Sequence, residues 1–515
     1  MRSARLVLKL AMLPVAVVLA SCAGGGDAGP GGDIAPRPVP PVTQLRGQVI
    51  GQPAPVPVTL ASGATVSTVD AATLKGLVDA ALNFGSSITG NPTCAVTAYT
   101  VQYHTIDAAG ADTPASTAIM VPSGGAPACQ GARPVILYAH GTSVLKATDM
   151  ARLSASEPRL IAAMFAAQGY IVVAPNYAGY AGSTLNYHPY LDAAQQSADM
   201  IDALRAARSV FGAIHTGAGS RLMVMGYSQG GYVALATQRA MQTSYGAEFS
   251  VTAAAALSGP YALLRFGDAI FNGAPTMGAA AFLPMLITAA QRAGAGIYAS
   301  PNEVYEDQYA SGIETLLPGA QGLGDLVAAG KLPNDVLFAA DSLPQAPGYA
   351  SFFGADHLIR TSYRDSYLAD LRAHPCNTGA TALDCAPAQG LRKWLYQNDL
   401  RNYTPGVPLF LCGGDADPMV PYFNTKDAAA YFSARGMPAA LLTVLDVDDM
   451  SLTAPYLTSR AEFAAAKALM YQSALNRTGS AAAAAQAVRE AYHVSLVAPF
   501  CLREARNYLD SAPSR

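Results

Sequence analysis

Charge is scarce in this chain. Only 13% of its 515 residues are Asp, Glu, Lys or Arg, about half the share of an ordinary soluble protein. The 32 basic and 35 acidic residues leave a formal charge of −3. No basic patch stands out, which excludes the electrostatic footprint of a nucleic-acid binder. No two cysteines stand at C-x-x-C spacing, so no zinc site is expected. The acidic stretch "DVDD" at 446–449 reads as a solvated loop rather than a metal site. No metal or cofactor is called for. Histidine is limited to seven residues, which keeps the number of candidate imidazole bases small. There is no internal repeat, and a single long apolar run, at the very start.

That start, "MRSARLVLKLAMLPVAVVLASC", sets Arg2, Arg5 and Lys9 before an apolar stretch from Leu10 to Ala20. It is too short for a comfortable membrane span and reads as an export signal over residues 1–21. Leu19-Ala20-Ser21-Cys22 resembles a bacterial lipobox, which implies acylation of Cys22 after removal of the preceding peptide. Ala23, in place of Asp, implies sorting to the outer membrane. Acyl chains would tether the protein to a bilayer without a spanning helix. Residues 22–60 are Gly- and Pro-rich and are expected to form an extended, flexible tether. Six cysteines remain, Cys94, Cys129, Cys376, Cys385, Cys412 and Cys501. An even number in an exported chain suggests disulfides, and Cys376 and Cys385 are close enough for a local loop.

From residue 61 apolar runs such as "PVILYAH", "YIVVAP", "RLMVMGYS" and "VTAAAAL" alternate with helical segments. Strands apolar on both faces, separated by helices, indicate an α/β protein with a mostly parallel sheet covered on both sides. "CAVTAYTVQYHTI" and "STAIMVP" read as an antiparallel pair ahead of it. The rhythm stops over residues 261–403, which read as a mainly helical cap. It resumes over 404–515, with a second helical insertion at 459–492 and a loop leading into a last helix. The core therefore comprises residues 61–260 and 404–515.

In "MVMGYSQGGYVA" (223–234) Ser228 lies between Gly226 and Gly230. In a chain with 47 glycines the bare G-x-S-x-G pattern is a weak signal, but here an apolar strand precedes it and a helical pattern follows. The glycines permit a sharp strand-to-helix turn that lifts the serine above the sheet. A serine hydroxyl needs a base, and the base needs an orienting acid. His493, just ahead of the C-terminal helix, is the expected base. "GGDADPMVP" offers Asp417 as the acid, with Asp415 in reserve. Oxyanion donors are expected at the Thr142 amide in "HGTS" and at the Gln229 amide heading the helix. His140 and Gly141 are expected to shape that loop.

The stretches "ILYAHGT", "VVAPNYAGYAGS", "GYSQGG", "GGDADPMVP" and "HVSLVAPFCLREARNYL" resemble the α/β-hydrolases, and among them the secretory lipases and related bacterial esterases. The resemblance implies Ser-His-Asp ester hydrolysis and a lid inserted between the sixth and seventh strands. Two departures stand out. Relatives commonly carry Asp in place of Asn176, and they usually have a short loop where this chain has its second insertion. Cys412 ends the strand carrying Asp417 and Cys501 begins the helix after His493, so a disulfide is expected to clip acid and base together. The apolar run "AAAFLPMLITAA" (279–290) and nearby Phe, Leu, Met and Tyr suit a pocket for apolar acyl or aromatic esters. The competing readings are a serine peptidase or amidase of the same fold, and a catalytically silent envelope lipoprotein. A small-molecule or lipid-like ester is the expected partner; the oligomeric state is not read from the sequence.

Overall fold

The structure, a computed structural model, describes residues 45–81, 85–376, 383–451 and 455–512. Its strands are β1 (Val49–Pro55), β2 (Val58–Thr59), β3 (Thr65–Val66), β4 (Thr68–Val69), β5 (Ala95–Ile106) and β6 (Asp112–Ser123). Then follow β7 (Ala132–Ala139), β8 (Ile171–Pro175), β9 (Gly217–Tyr227), β10 (Ala253–Leu257), β11 (Leu409–Gly413) and β12 (Leu442–Asp446). The main sheet runs β1-β5-β6-β8-β7-β9-β10-β11-β12, with β4 beside β5, while β2 and β3 pair separately. Neighbours from β8 to β12 are parallel, and β1, β5 and β6 are joined antiparallel.

Both faces of the apolar runs in β7 to β11 are buried, which explains why those runs are unbroken, while the edge strand β12 leaves Val444 exposed. On β9, Leu222 and Val224 enter one core while Met223, Met225 and Tyr227 enter the other. The first core takes in the helices Ala193–Val210 and Gln229–Ser244; the second takes in Ser156–Met164 and Ala498–Ser511. At the carboxyl edge Gly226 pairs with Ala139 of β7 and Ala256 of β10. Cys412 of β11 pairs with Leu257. The loops leaving β7, β9 and β11 therefore open on one edge.

Between β10 and β11 the chain builds a mainly helical layer that includes Leu263–Phe271, Ala279–Arg292, Thr361–Ala373 and Gly390–Gln397. A buried ion cluster holds it together. Arg392 donates to both oxygens of Asp268 at 2.8 and 3.1 Å and to Asp370 at 3.0 Å, and the Tyr367 hydroxyl also donates to Asp268. One guanidinium thus serves two carboxylates, and the Tyr367 hydroxyl supplies a further donor to Asp268, the hydrogen bonding that buried charges need.

Two expectations need correction. The tether does not extend to residue 60: Val49–Pro55 is an edge strand, pairing Val49 with Tyr103 and Pro55 with Tyr99. Pro53 and Pro55 lack an N–H, but an edge strand has a row of groups that need no partner, so proline is tolerated there. Residues 1–44, on which the expected export signal and Cys22 fall, lie outside the described residues. The segment before the last helix is not a loop either. The helix Ala481–Ala491 passes into a π-helical turn, Tyr492–Val497, and directly into Ala498–Ser511.

Three disulfides are formed, Cys94–Cys129, Cys376–Cys385 and Cys412–Cys501. Such bonds persist in oxidising compartments, outside the cytoplasm. Among the described residues no helix is long and apolar enough to cross a membrane. Peptide mapping of non-reduced protein is expected to recover these three pairs; a free thiol at Cys412 or Cys501 would contradict the clip.

One buried carboxyl makes stability depend on pH. Asp199 accepts from the Tyr103 hydroxyl at 2.5 Å and the Ala178 amide at 2.6 Å. Loss of hydration pushes it from 3.8 up to about 7. The folded chain thus holds a proton that the unfolded chain releases near pH 4, so this contribution is full below about pH 4 and is lost as pH rises towards 7. Asp199→Asn is expected to flatten the decline in denaturation midpoint between pH 4.5 and 7.5. Parallel pH profiles for the two proteins would contradict this.

Candidate active site

The turn after β9 is possible only because three positions lack side chains. A Cβ on Gly230 would lie 1.9 Å from the Ala139 carbonyl oxygen, and one on Gly226 would lie 2.3 Å from the Gly230 oxygen. One on Gly231 would lie 2.4 Å from the Leu257 oxygen. With the strand ends and the helix in backbone contact, Ser228 is forced to φ 60° and ψ −125°. That conformation is unfavourable for a residue with a Cβ, by an amount on the order of 1–3 kcal/mol. It is held by the Ser228 amide donating to the Leu257 oxygen at 2.8 Å, and by the Gly231 amide donating to the Ser228 oxygen at 2.9 Å.

Three side chains converge at this turn. His493 Nε2 lies 2.8 Å from Ser228 Oγ, and His493 Nδ1 lies 2.6 Å from Asp417 Oδ2. The other Asp417 oxygen accepts the Met419 and Val420 amides at 2.9 and 3.0 Å. His493 and Asp417 are buried. The arrangement fixes the imidazole with Nδ1–H toward the carboxylate and leaves Nε2 free to accept the serine proton. Asp415 stays exposed and pairs with Lys426 at 3.3 Å.

The amides expected to receive an oxyanion are the Thr142 and Gln229 N–H groups, and neither is taken by another group among the described residues. The Thr142 loop is fixed from several sides. Glu157 Oε1 accepts the Gly141 amide at 3.0 Å and the Tyr138 hydroxyl at 2.8 Å. The Tyr177 hydroxyl donates to the His140 oxygen at 3.0 Å, and the Tyr180 hydroxyl to the Ser143 oxygen at 2.6 Å. His140 stacks on Tyr177 at 4.1 Å, a structural role. Gln229 is secured through its side-chain amide, which lies 2.6 Å from His188 Nε2, while His188 Nδ1 lies 2.8 Å from the Ala178 oxygen. Burial depresses His188 to about 3, so the ring is neutral, donates from Nδ1 and accepts from Gln229 at Nε2.

Sequence reasoning passed over several of these residues. His188 reads as an ordinary loop histidine, and Glu157 as an acid in the first turn of a helix. Tyr227, next to the serine, donates its hydroxyl to the His493 carbonyl oxygen. No local pattern marks these contacts. Tyr177 and Tyr180 fall within "NYAGYAGS", part of a stretch that resembles the α/β-hydrolases.

Ser228 opens on a cavity of about 600 Å³. The cap supplies Leu263, Phe266, Ile270, Phe282, Leu283 and Leu286, so the helix carrying "AAAFLPMLITAA" serves both as packing and as wall. Ile88, Leu160 and Leu502 line it from the other core. Glu157 is the only carboxylate among the described lining residues. Among the described residues no group of three or more His, Cys, Asp or Glu is placed to hold a metal ion.

Comparison with known proteins fits this geometry. The prolyl oligopeptidase family (peptidase S9) matches residues 157–259, the stretch from the first core helix through the serine turn to β10. No curated protein matches the chain by sequence. A ligand-bound structure of the rice cell wall degrading esterase LipA from Xanthomonas oryzae is 25% identical, covers 91% of this chain and all of its own, and superposes with a TM-score of 0.66. Another LipA structure is 26% identical over 81% of this chain and 94% of that one, with a TM-score of 0.62. A Legionella pneumophila protein, 18% identical over 78% of this chain and 91% of its own, shares the fold with a TM-score of 0.58. With a mostly parallel sheet, an inserted helical layer, a serine on the turn after β9 and these likenesses, the chain is a hydrolase of the α/β-hydrolase superfamily.

Proposed function

We propose that the protein is a serine carboxylic ester hydrolase acting on apolar acyl or aromatic esters outside the cytoplasm. The observation that carries this is the unbroken chain Ser228 Oγ, His493, Asp417 at 2.8 and 2.6 Å, set in an apolar cavity. In this reading His493 Nε2 takes the Ser228 proton as Oγ attacks the ester carbonyl. Asp417 holds the imidazole in the required tautomer and stabilises the imidazolium that forms. The carbonyl oxygen, now negative, is received by the Thr142 and Gln229 amides and by the positive end of the helix that follows Ser228. His493 returns the proton to the departing alcohol, and water, activated the same way, releases the acid from Ser228.

The substrate class rests on the lining. A pocket walled by Phe, Leu and Ile rewards burial of apolar surface by about 25 cal/mol per Å². The LipA esterases supply the comparison for ester chemistry. The amidase reading draws on the S9 family match, but among the described residues the cavity offers only Glu157 as a carboxylate, and its Oε1 is already engaged by Tyr138 and Gly141. Nothing there is arranged to hold a peptide terminus. The silent-lipoprotein reading leaves the strained turn and the free amides without a purpose. Attachment through an acylated Cys22 belongs to the same proposal and places the enzyme at an envelope membrane, the outer one by the lipobox resemblance.

Hydrolysis of p-nitrophenyl esters is expected to rise with acyl length over the short chains as apolar surface is buried, and to fall by at least about a thousandfold in Ser228→Ala. Turnover that survives the substitution would sink the assignment, and turnover of amides alone would favour the second reading. Glu157→Ala is expected to loosen the Thr142 loop and lower kcat about tenfold with KM changed less than about threefold. Glu157→Gln, which keeps an acceptor oxygen, should lose much less. Equal behaviour of the two variants would rule out that role for the carboxylate.

A further inference from the structure

The segment between β12 and His493, which holds the helices Leu457–Thr478 and Ala481–Ala491, connects physically to the site. Tyr492, immediately before His493, is buried, and its hydroxyl accepts the Ala416 amide at 3.2 Å, immediately before Asp417. The same hydroxyl donates to Asp448 Oδ2 at 2.6 Å. Lys467, on the inserted helix Leu457–Thr478, holds the other Asp448 oxygen at 2.5 Å. The fit is close on every side. A Cβ on Gly414 would lie 2.7 Å from the Tyr492 hydroxyl oxygen. Phe463 of the inserted helix meets the Tyr492 ring edge-on at 5.8 Å, with Lys467 5.6 Å from the Phe463 ring centre. Asp446, ending β12, accepts the Asp415 amide at 3.2 Å and the Asp448 amide at 2.9 Å.

A single hydroxyl thus joins the neighbour of the base to the neighbour of the acid, and an ion pair from the insertion sets its orientation. We propose that Tyr492 is a positioning residue and that the second insertion is a brace, acting through Lys467 and Asp448, which fixes the separation of His493 and Asp417. The inference rests on the Ser228 hydrolase reading above. Its physical basis is that the Asp417–His493 contact is made between two segments that share no secondary structure. One is the loop after β11, the other the π-helical turn. Their relative placement is set by what links them, and a shift of about 1 Å in such a contact costs up to about a hundredfold in rate. Tyr227 bonds the His493 carbonyl, and the Cys412–Cys501 bridge ties the strand before the acid to the helix after the base. Among the described residues neither makes a hydrogen bond to Ala416, which Tyr492 does.

The test uses the full chain and two readouts: kcat and KM for p-nitrophenyl butyrate, and the rate at which a fluorophosphonate labels Ser228. Tyr492→Phe is expected to lower kcat about tenfold with KM within about twofold, and to slow labelling in proportion. Lys467→Met, at a half-exposed site on the insertion, should do the same by about threefold, and Lys467→Arg should restore at least half of the loss. Melting temperatures of the Lys467 variants keep the test open if Tyr492→Phe fails to fold. Wild-type kcat and labelling in Tyr492→Phe, a matching rise in KM, or no difference between Met and Arg at 467 would overturn the brace. If the wild type is labelled at Ser228 but turns over no ester, and Tyr492→Phe is labelled more slowly, the ester reading fails while the brace stands. If Ser228 is not labelled at all, both fall.

Discussion

The backbone contact between Gly230 and Ala139 is the constraint on which the rest of this structure depends. Two chain segments that would ordinarily stand a side chain apart touch, and the same is true at Gly226 and Gly231. The contact forces Ser228 into a left-handed conformation, lifts its hydroxyl over the sheet edge, and turns the first amides of the next helix toward the same point. Strain of this kind persists only where the surroundings over-determine it. Here they do, because β9 lies between β7 and β10 and both neighbours are buried on two faces.

Around that fixed point the other groups are brought in by long-range contacts. His493 and Asp417 come from segments far along the chain, and each is anchored by more than its partner: Asp417 by two amides of its own loop, His493 by Tyr227 and the π-helical turn. A π turn holds one more residue than an α turn and is a common device at functional sites. The Thr142 loop is held by hydroxyls of Tyr177 and Tyr180 and by the Glu157 carboxylate. The mainly helical layer then encloses the point, with Asp268 and Asp370 paired to Arg392 inside it and its apolar side turned toward Ser228.

The sequence made the sheet legible because its strands are buried on both faces and its helices are long. The serine turn was legible because close backbone approach demands glycine at fixed offsets. Asp415 and Asp417 stand two residues apart in one stretch, and the structure buries the second while leaving the first exposed. What was not legible depends on contacts between distant residues. Tyr492 meets Ala416, Glu157 meets Gly141 and His188 meets Gln229, and no periodicity announces such pairs. Composition misled at Val49–Pro55, where prolines that suggest a tether sit on a sheet edge that does not need their N–H groups. It also concealed the continuous helix around His493, where β-branched and aromatic residues and Pro499 suggest a break in the helix.

The central claim is that Ser228 Oγ is the attacking atom and that the Thr142 and Gln229 amides receive the charge it creates. A crystal structure of the protein after reaction with an alkyl phosphonate ester tests this most directly. The account requires phosphorus bonded to Ser228 Oγ, the phosphoryl oxygen about 3 Å from both amides, and the alkyl group among the cap residues that line the cavity. Phosphorus on another residue, or a phosphoryl oxygen directed away from those amides, would contradict it.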